Sequence, residues 1–192
     1  TTRIIPFLQQ LHNDFPNMSL ELITNTTREI TKDLLDYKVD IAFISGMPKS
    51  SDLMILNKVD EEIVIVEPDN TKAPNVFLSF KNGCAYNEFG QNYLKNISQE
   101  DFKTLEFGNY EIILGCVKAG MGKSLLPMSI VKKHKYENDL KITALPKELA
   151  NMPTCLVCRK DNIPKIEGYL KEDDLTSISE YRENIIEKIL HN

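Results

Sequence analysis

The chain has 192 residues, with 23 Lys and Arg against 28 Asp and Glu, a formal charge of −5, 42% apolar and 27% charged residues. This composition excludes a disordered tail, a collagen-like repeat and a disulfide-stapled miniprotein. No apolar run approaches the ~18 residues of a membrane span, and the opening Thr1-Thr2-Arg3-Ile4-Ile5-Pro6 lacks the zones of a signal peptide, so a cytoplasmic location is expected.

The first pattern is a helical stripe through Ile4, Leu8, Leu11 and Phe15, with Pro6 in the tolerant first turn. Phe15-Pro16-Asn17 ends it, and Leu20-Glu21-Leu22-Ile23 reads as a strand. Thr26-Thr27-Arg28-Glu29 fits a capping box, with Thr26 as N-cap and Glu29 three residues on, ahead of an apolar stripe through Ile30, Leu34 and Leu35. Residues 39–44 follow as a mostly apolar strand, the pattern of a parallel sheet covered on both faces. The opening is therefore α-β-α-β, an α/β layer. Two β-rich runs, 53–56 and 63–66, flank the acidic turn Asp60-Glu61-Glu62. The segment 68–74, with two prolines, is the best candidate for a linker.

A second unit then repeats the grammar. It has a strand at 76–80, a turn at Gly83, a helix carrying Phe89, Tyr93, Leu94 and Ile97, a strand at 103–107, and a helix over 110–119 stopped by Gly120. A short helix near Ser129, strands near 141–145 and 154–158, and a final amphipathic helix through Leu175, Ile178, Tyr181, Ile185, Ile186 and Ile189 complete the chain.

Candidate chemistry is sparse. Gly122-Lys123-Ser124 ends like a phosphate-binding loop, but the first glycine of that motif would fall at Val117. Cys155 and Cys158 lie three apart in a strand and point to opposite faces, so they are expected as reduced, structural thiols and not as half of a zinc site. His12, His134 and His191 sit on polar faces away from any nucleophile turn. The run Lys132-Lys133-His134-Lys135 reads as a helix end, where cations complement the dipole. The negative overall charge argues against DNA contact by this chain, because displacing phosphate counterions needs clustered positive charge. What remains is a set of helix starts preceded by small polar residues: Thr1-Thr2, Thr26-Thr27, Gly83-Cys84-Ala85 and Gly108-Asn109. Each offers free N–H groups and a partial positive charge suited to a carboxylate. If they converge on one cleft, the chain binds a small molecule. No acid, base or metal set for catalysis stands among them.

Several segments resemble one family. Arg3-Ile4-Ile5-Pro6-Phe7-Leu8 running to Phe15-Pro16-Asn17-Met18-Ser19-Leu20-Glu21-Leu22, the capped helix from Thr26, Val39-Asp40-Ile41-Ala42-Phe43, Gly83-Cys84-Ala85-Tyr86, and Gly115-Cys116-Val117-Lys118-Ala119-Gly120-Met121-Gly122-Lys123-Ser124-Leu125-Leu126-Pro127 resemble, in order and spacing, the effector domain of LysR-type transcriptional regulators. Asn87 stands where that family commonly has arginine.

The resemblance implies a type 2 periplasmic-binding-protein-like α/β fold, with two subdomains joined by two crossing strands and an inducer between them. Subdomain I is expected over 1–70 plus 154–192 and subdomain II over 71–153. Ligand-binding positions would be Thr1 or Thr2, Thr26 and Thr27 on one side, and Cys84, Ala85, Phe107 and Asn109 on the other. The Asn87 departure removes a cation from the expected cleft rim. The resemblance also implies a transcription regulator that is not an enzyme and needs no cofactor or metal. The domain is expected to pair as a homodimer, a tetramer in the full-length protein, with DNA bound only through an N-terminal winged helix-turn-helix outside this chain. The family also places a strand before the helix that begins near Thr1. A free-standing solute-binding protein of the same fold is the alternative.

Overall fold

A computed structural model describes residues 4–69, 72–97, 101–150 and 152–170. In chain order the elements are α1 (Ile4–Asp14), α2 (Thr27–Leu35), β1 (Ile41–Ser45), β2 (Leu53–Val59), β3 (Ile63–Pro68), β4 (Val76–Phe80), α3 (Ala85–Ile97), β5 (Lys103–Phe107), α4 (Tyr110–Lys118), β6 (Ser124–Pro127), α5 (Met128–Lys133), β7 (Leu140–Ala144), α6 (Lys147–Ala150), β8 (Thr154–Arg159) and α7 (Ile163–Ile166). The expected C-terminal helix lies outside the described residues.

The first lobe is built on a sheet of order β1-β8-β2, with both neighbours antiparallel to β8. The parallel pairing expected for β1 is thus replaced by an antiparallel one, although both faces are covered as its apolar run required. On one face Ile30 and Leu34 of α2 pack on Ala42, Ile44, Cys155 and Val157. On the other, Phe7 of α1 meets Phe43 edge to face at 5.4 Å, beside Leu156, Cys158, Ile163 and Ile166. Cys155 and Cys158 therefore face opposite layers, and burial pushes the Cys158 thiol up to about 11. All four cysteines are free thiols.

The end of α2 is pinned to β8 by Arg159. Its guanidinium lies 3.9 Å over the Tyr37 ring and donates to Asp161 at 2.9 and 2.7 Å and to the Leu35 carbonyl at 3.1 Å. Those bonds, with one from the Tyr37 hydroxyl, hold the Asp161 carboxyl down at about 2.

The second lobe combines an antiparallel sheet of order β6-β3-β7 with the parallel pair β4-β5. The two are stitched where Leu78 N–H donates to the Lys123 carbonyl (2.8 Å) and Lys123 N–H to the Val76 carbonyl (2.9 Å). Gly122 is required there, because a Cβ would sit 2.4 Å from the Val76 carbonyl oxygen. The buried Ser124 hydroxyl donates to the Leu78 carbonyl at 2.6 Å. Gly122-Lys123-Ser124 is thus a sheet staple and not a phosphate loop. Helix α4 buries Ile113, Leu114 and Val117 against Val64, Val66, Leu78 and Leu126. Helix α3 buries Leu94 beside Phe77, Ile63 and Leu125.

A further expectation is corrected. Residues 20–23 form no strand, and Leu20, Leu22 and Ile23 are 46%, 61% and 41% exposed. A four-residue β pattern needs a ladder partner, and the described pairing of β1 is with β8. At Asp60-Glu61-Glu62 the chain passes from the sheet of β1, β8 and β2 to that of β3, β6 and β7, before the proline-bearing segment begins. The return crossing, between β7 and β8, runs alongside: Met152 N–H donates to the Glu61 carbonyl at 3.1 Å, and the Ser129 hydroxyl to the buried Glu61 carboxylate at 2.8 Å.

Candidate functional site at three helix starts

Three helix starts meet where the lobes adjoin. Helix α2 opens at Thr26, which is buried in a full capping box: its hydroxyl donates to Glu29 Oε2 at 2.7 Å and accepts from Glu29 N–H at 3.3 Å. The Thr26 hydroxyl first, and then the Thr26 amide, both donating to it, hold the Glu29 carboxyl below its ordinary range. The next amide, Arg28 N–H, donates across the lobes to the Gly83 carbonyl at 3.2 Å. Gly83 itself packs on Thr26, and a Cβ added to it would lie 2.9 Å from Thr26 Oγ1. The start of α2 is therefore seated directly on the turn that opens α3.

The start of α4 joins from the other side. Cys84 Sγ lies 4.0 Å from the Tyr110 hydroxyl, and the Tyr110 ring stacks on Phe80 at 4.9 Å. Burial, followed by the neighbouring Cys84, raises the Tyr110 hydroxyl above its ordinary value. Asn109 caps α4, with Oδ1 accepting from Glu111 N–H at 2.7 Å. Tyr86, in the first turn of α3, is buried on this side, with Ser45 at the end of β1 and Thr154 at the start of β8 near its hydroxyl. Burial pushes its hydroxyl up to about 12. Thr27 lies on the same side, its hydroxyl accepting from Ser45 N–H at 3.4 Å.

Of the residues singled out in the sequence, Thr26, Thr27, Cys84 and Ala85 are brought to this junction. Asn109 and Phe107 flank it through Tyr110. Thr1 and Thr2 lie outside the described residues. Asn87 is not on a rim: it is 2% exposed, its amide donating to the Phe80 carbonyl at 2.7 Å and to Glu106 Oε1 at 3.1 Å. An arginine there would have to displace those bonds. Sequence reasoning missed Tyr86, Ser45 and Thr154, although Tyr86 closes the Gly83-Cys84-Ala85-Tyr86 string that had drawn attention. Among the described residues no buried side-chain polar atom lacks a partner, and no cluster of His, Cys, Asp and Glu is arranged for a metal. The junction offers hydroxyls, amides and helix dipoles, groups suited to holding a polar or anionic molecule.

Over residues 1–168 the chain matches the LysR substrate binding domain. It belongs to that family. The curated relatives of this LysR domain include the uncharacterized HTH-type transcriptional regulator YusT of Bacillus subtilis, 33% identical over 165 residues, with 83% of this chain and 56% of the relative covered. The HTH-type transcriptional regulator GltR of the same organism is 32% identical over 173 residues, covering 85% of this chain and 58% of its own. The chain thus spans little more than half the length of these relatives. The reduced form of OxyR from N. meningitidis superposes with a TM-score of 0.66 at 18% identity, covering 91% of this chain and 88% of that one. That likeness carries the fold, the type 2 periplasmic-binding-protein-like α/β arrangement. LysR-type regulators bind small-molecule effectors and act as oligomers, and their substrate-binding domain is not an enzyme. No helix among the described residues is long and apolar enough to cross a membrane.

Proposed function

We propose that this LysR domain senses a small polar or anionic effector in the cleft between its lobes and so controls a DNA-binding part outside the chain. The carrying observation is the convergence of α2, α3 and α4 starts from both lobes on one junction, marked by the Arg28–Gly83 bond. Thr26, Thr27, Cys84, Ala85, Phe107 and Asn109 are assigned to the effector, as are Thr1 and Thr2 outside the described residues. Subdomain I is taken as the part before Glu62 and from residue 154 on, and subdomain II as the part between. The protein is assigned to the cytoplasm as a homodimer, a tetramer at full length, whose arrangement the effector shifts only by its difference in affinity for the two lobe states.

A thermal-shift screen of small carboxylates tests the site. A compound at 100 times its dissociation constant adds about 2.7 kcal/mol. Thr26→Val should abolish the response of a responsive compound, while Thr26→Ser, which keeps the capping hydroxyl, should retain it. An unchanged response in Thr26→Val contradicts the site.

A further inference from the structure

Two contacts tie the lobes together at the same corner, and this chain supplies both partners of each. In the backbone, Arg28 N–H donates to the Gly83 carbonyl at 3.2 Å. At the rim, the Arg28 guanidinium meets Glu88 Oε1 at 2.7 Å, with Lys49 Nζ 3.9 Å from Oε2 of the same carboxylate. On the second lobe both contacts fall within residues 83–88, the turn and first turn of α3. On the first lobe they come from two places, α2 and the loop after β1.

We infer that this set is a clasp that holds the lobes closed without help from an effector, so that an effector acts on a cleft already shut. The inference rests on the cleft reading above and specifies its regulation. Its strength suits a switch. An exposed ion pair shifts an equilibrium by about fivefold at most and weakens with salt. A net hydrogen bond contributes about twofold to tenfold. Together these hold a closed majority that a ligand of ordinary differential affinity can overturn. The Gly83 carbonyl also occupies the α2 amide that an anionic effector would seek. By linkage, a ligand that displaces this carbonyl binds more tightly when the clasp is loosened.

Amide hydrogen exchange of the purified chain, with no ligand added, tests the clasp. Glu88→Gln keeps the side-chain shape and removes only the rim charge; it should lower protection of the residue-28 amide about threefold or more while amides of Leu34 and Leu78, in the two cores, stay protected. Arg28→Glu should act the same way at low salt, Glu88→Arg added to it should restore protection, and 500 mM salt should lower protection in the unaltered chain. The clasp is overturned if residue 28 keeps its protection in both Glu88→Gln and Arg28→Glu, or if it opens only together with the core amides. Because no effector enters the experiment, failure to find one leaves this result standing, and a failed clasp leaves the thermal-shift assignment standing.

Discussion

Phe77→Ala is expected to lower the unfolding free energy by about 3–5 kcal/mol, read from denaturant or thermal unfolding. Phe77 is fully buried at the centre of the second lobe, with Ile63, Leu94 and Leu125 around it and Phe102 edge to face at 6.3 Å. Deleting the ring removes its transfer energy and leaves a cavity that two sheets and α3 cannot collapse to fill. Gly90 of α3 lies directly on the ring, where a Cβ would fall 2.3 Å from Phe77 Cζ. Gly90→Ala therefore overpacks the same site and should cost about 1–3 kcal/mol, despite the better helix propensity of alanine. Phe77→Leu combined with Gly90→Ala should lose less than the sum of the two single changes, because each relieves the other. Additive losses would show that the ring and the helix backbone do not share one packing site.

Gly83→Ala is the second large effect, and it bears on function as well as stability. Gly83 has φ +89°, a conformation that costs an L-residue about 1–3 kcal/mol. A methyl group there also meets Thr26 Oγ1 of the other lobe at 2.9 Å. The variant is expected to lose about 2 kcal/mol or more in unfolding and to weaken the response to any compound that stabilises the unaltered chain. Gly108→Ala is the control, since nothing lies within 4 Å of its added Cβ and its stability should be nearly unchanged. Equal losses in both variants would deny Gly83 its place between the lobes.

Much of the fold could be read before the structure because its signals are local. The capping box at Thr26 and Glu29, the short β runs at 76–80 and 103–107, and Gly120 after α4 each depend on neighbours within a few residues. Strand direction depends on distant partners, so the antiparallel placement of β1 against β8, over 100 residues away, was not in the pattern of residues 39–44. The passage from one sheet to the other is non-local for a related reason. Prolines at 68 and 74 mark a break in local structure, whereas the crossing at Asp60-Glu61-Glu62 is defined by which sheet β3 joins.

The site divided along the same line. Thr26 and Cys84 were visible as helix starts. Tyr86 was not, because an apolar-looking tyrosine in a first helical turn reveals its role only when Ser45 and Thr154 arrive beside its hydroxyl from the other lobe. Asn87 misled in the opposite direction: a position read as a missing rim cation is an internal amide bonded to Phe80 and Glu106.

The central claim, an effector cleft between the lobes, is tested most directly by amide NMR of the chain titrated with a compound that raises its unfolding midpoint. Shifts that saturate together at residues 26–28, 45–46, 83–86 and 107–110 are the predicted result. Shifts confined to the lysine-rich end of α5 or to residues 20–23, with the three helix starts unmoved, would contradict it.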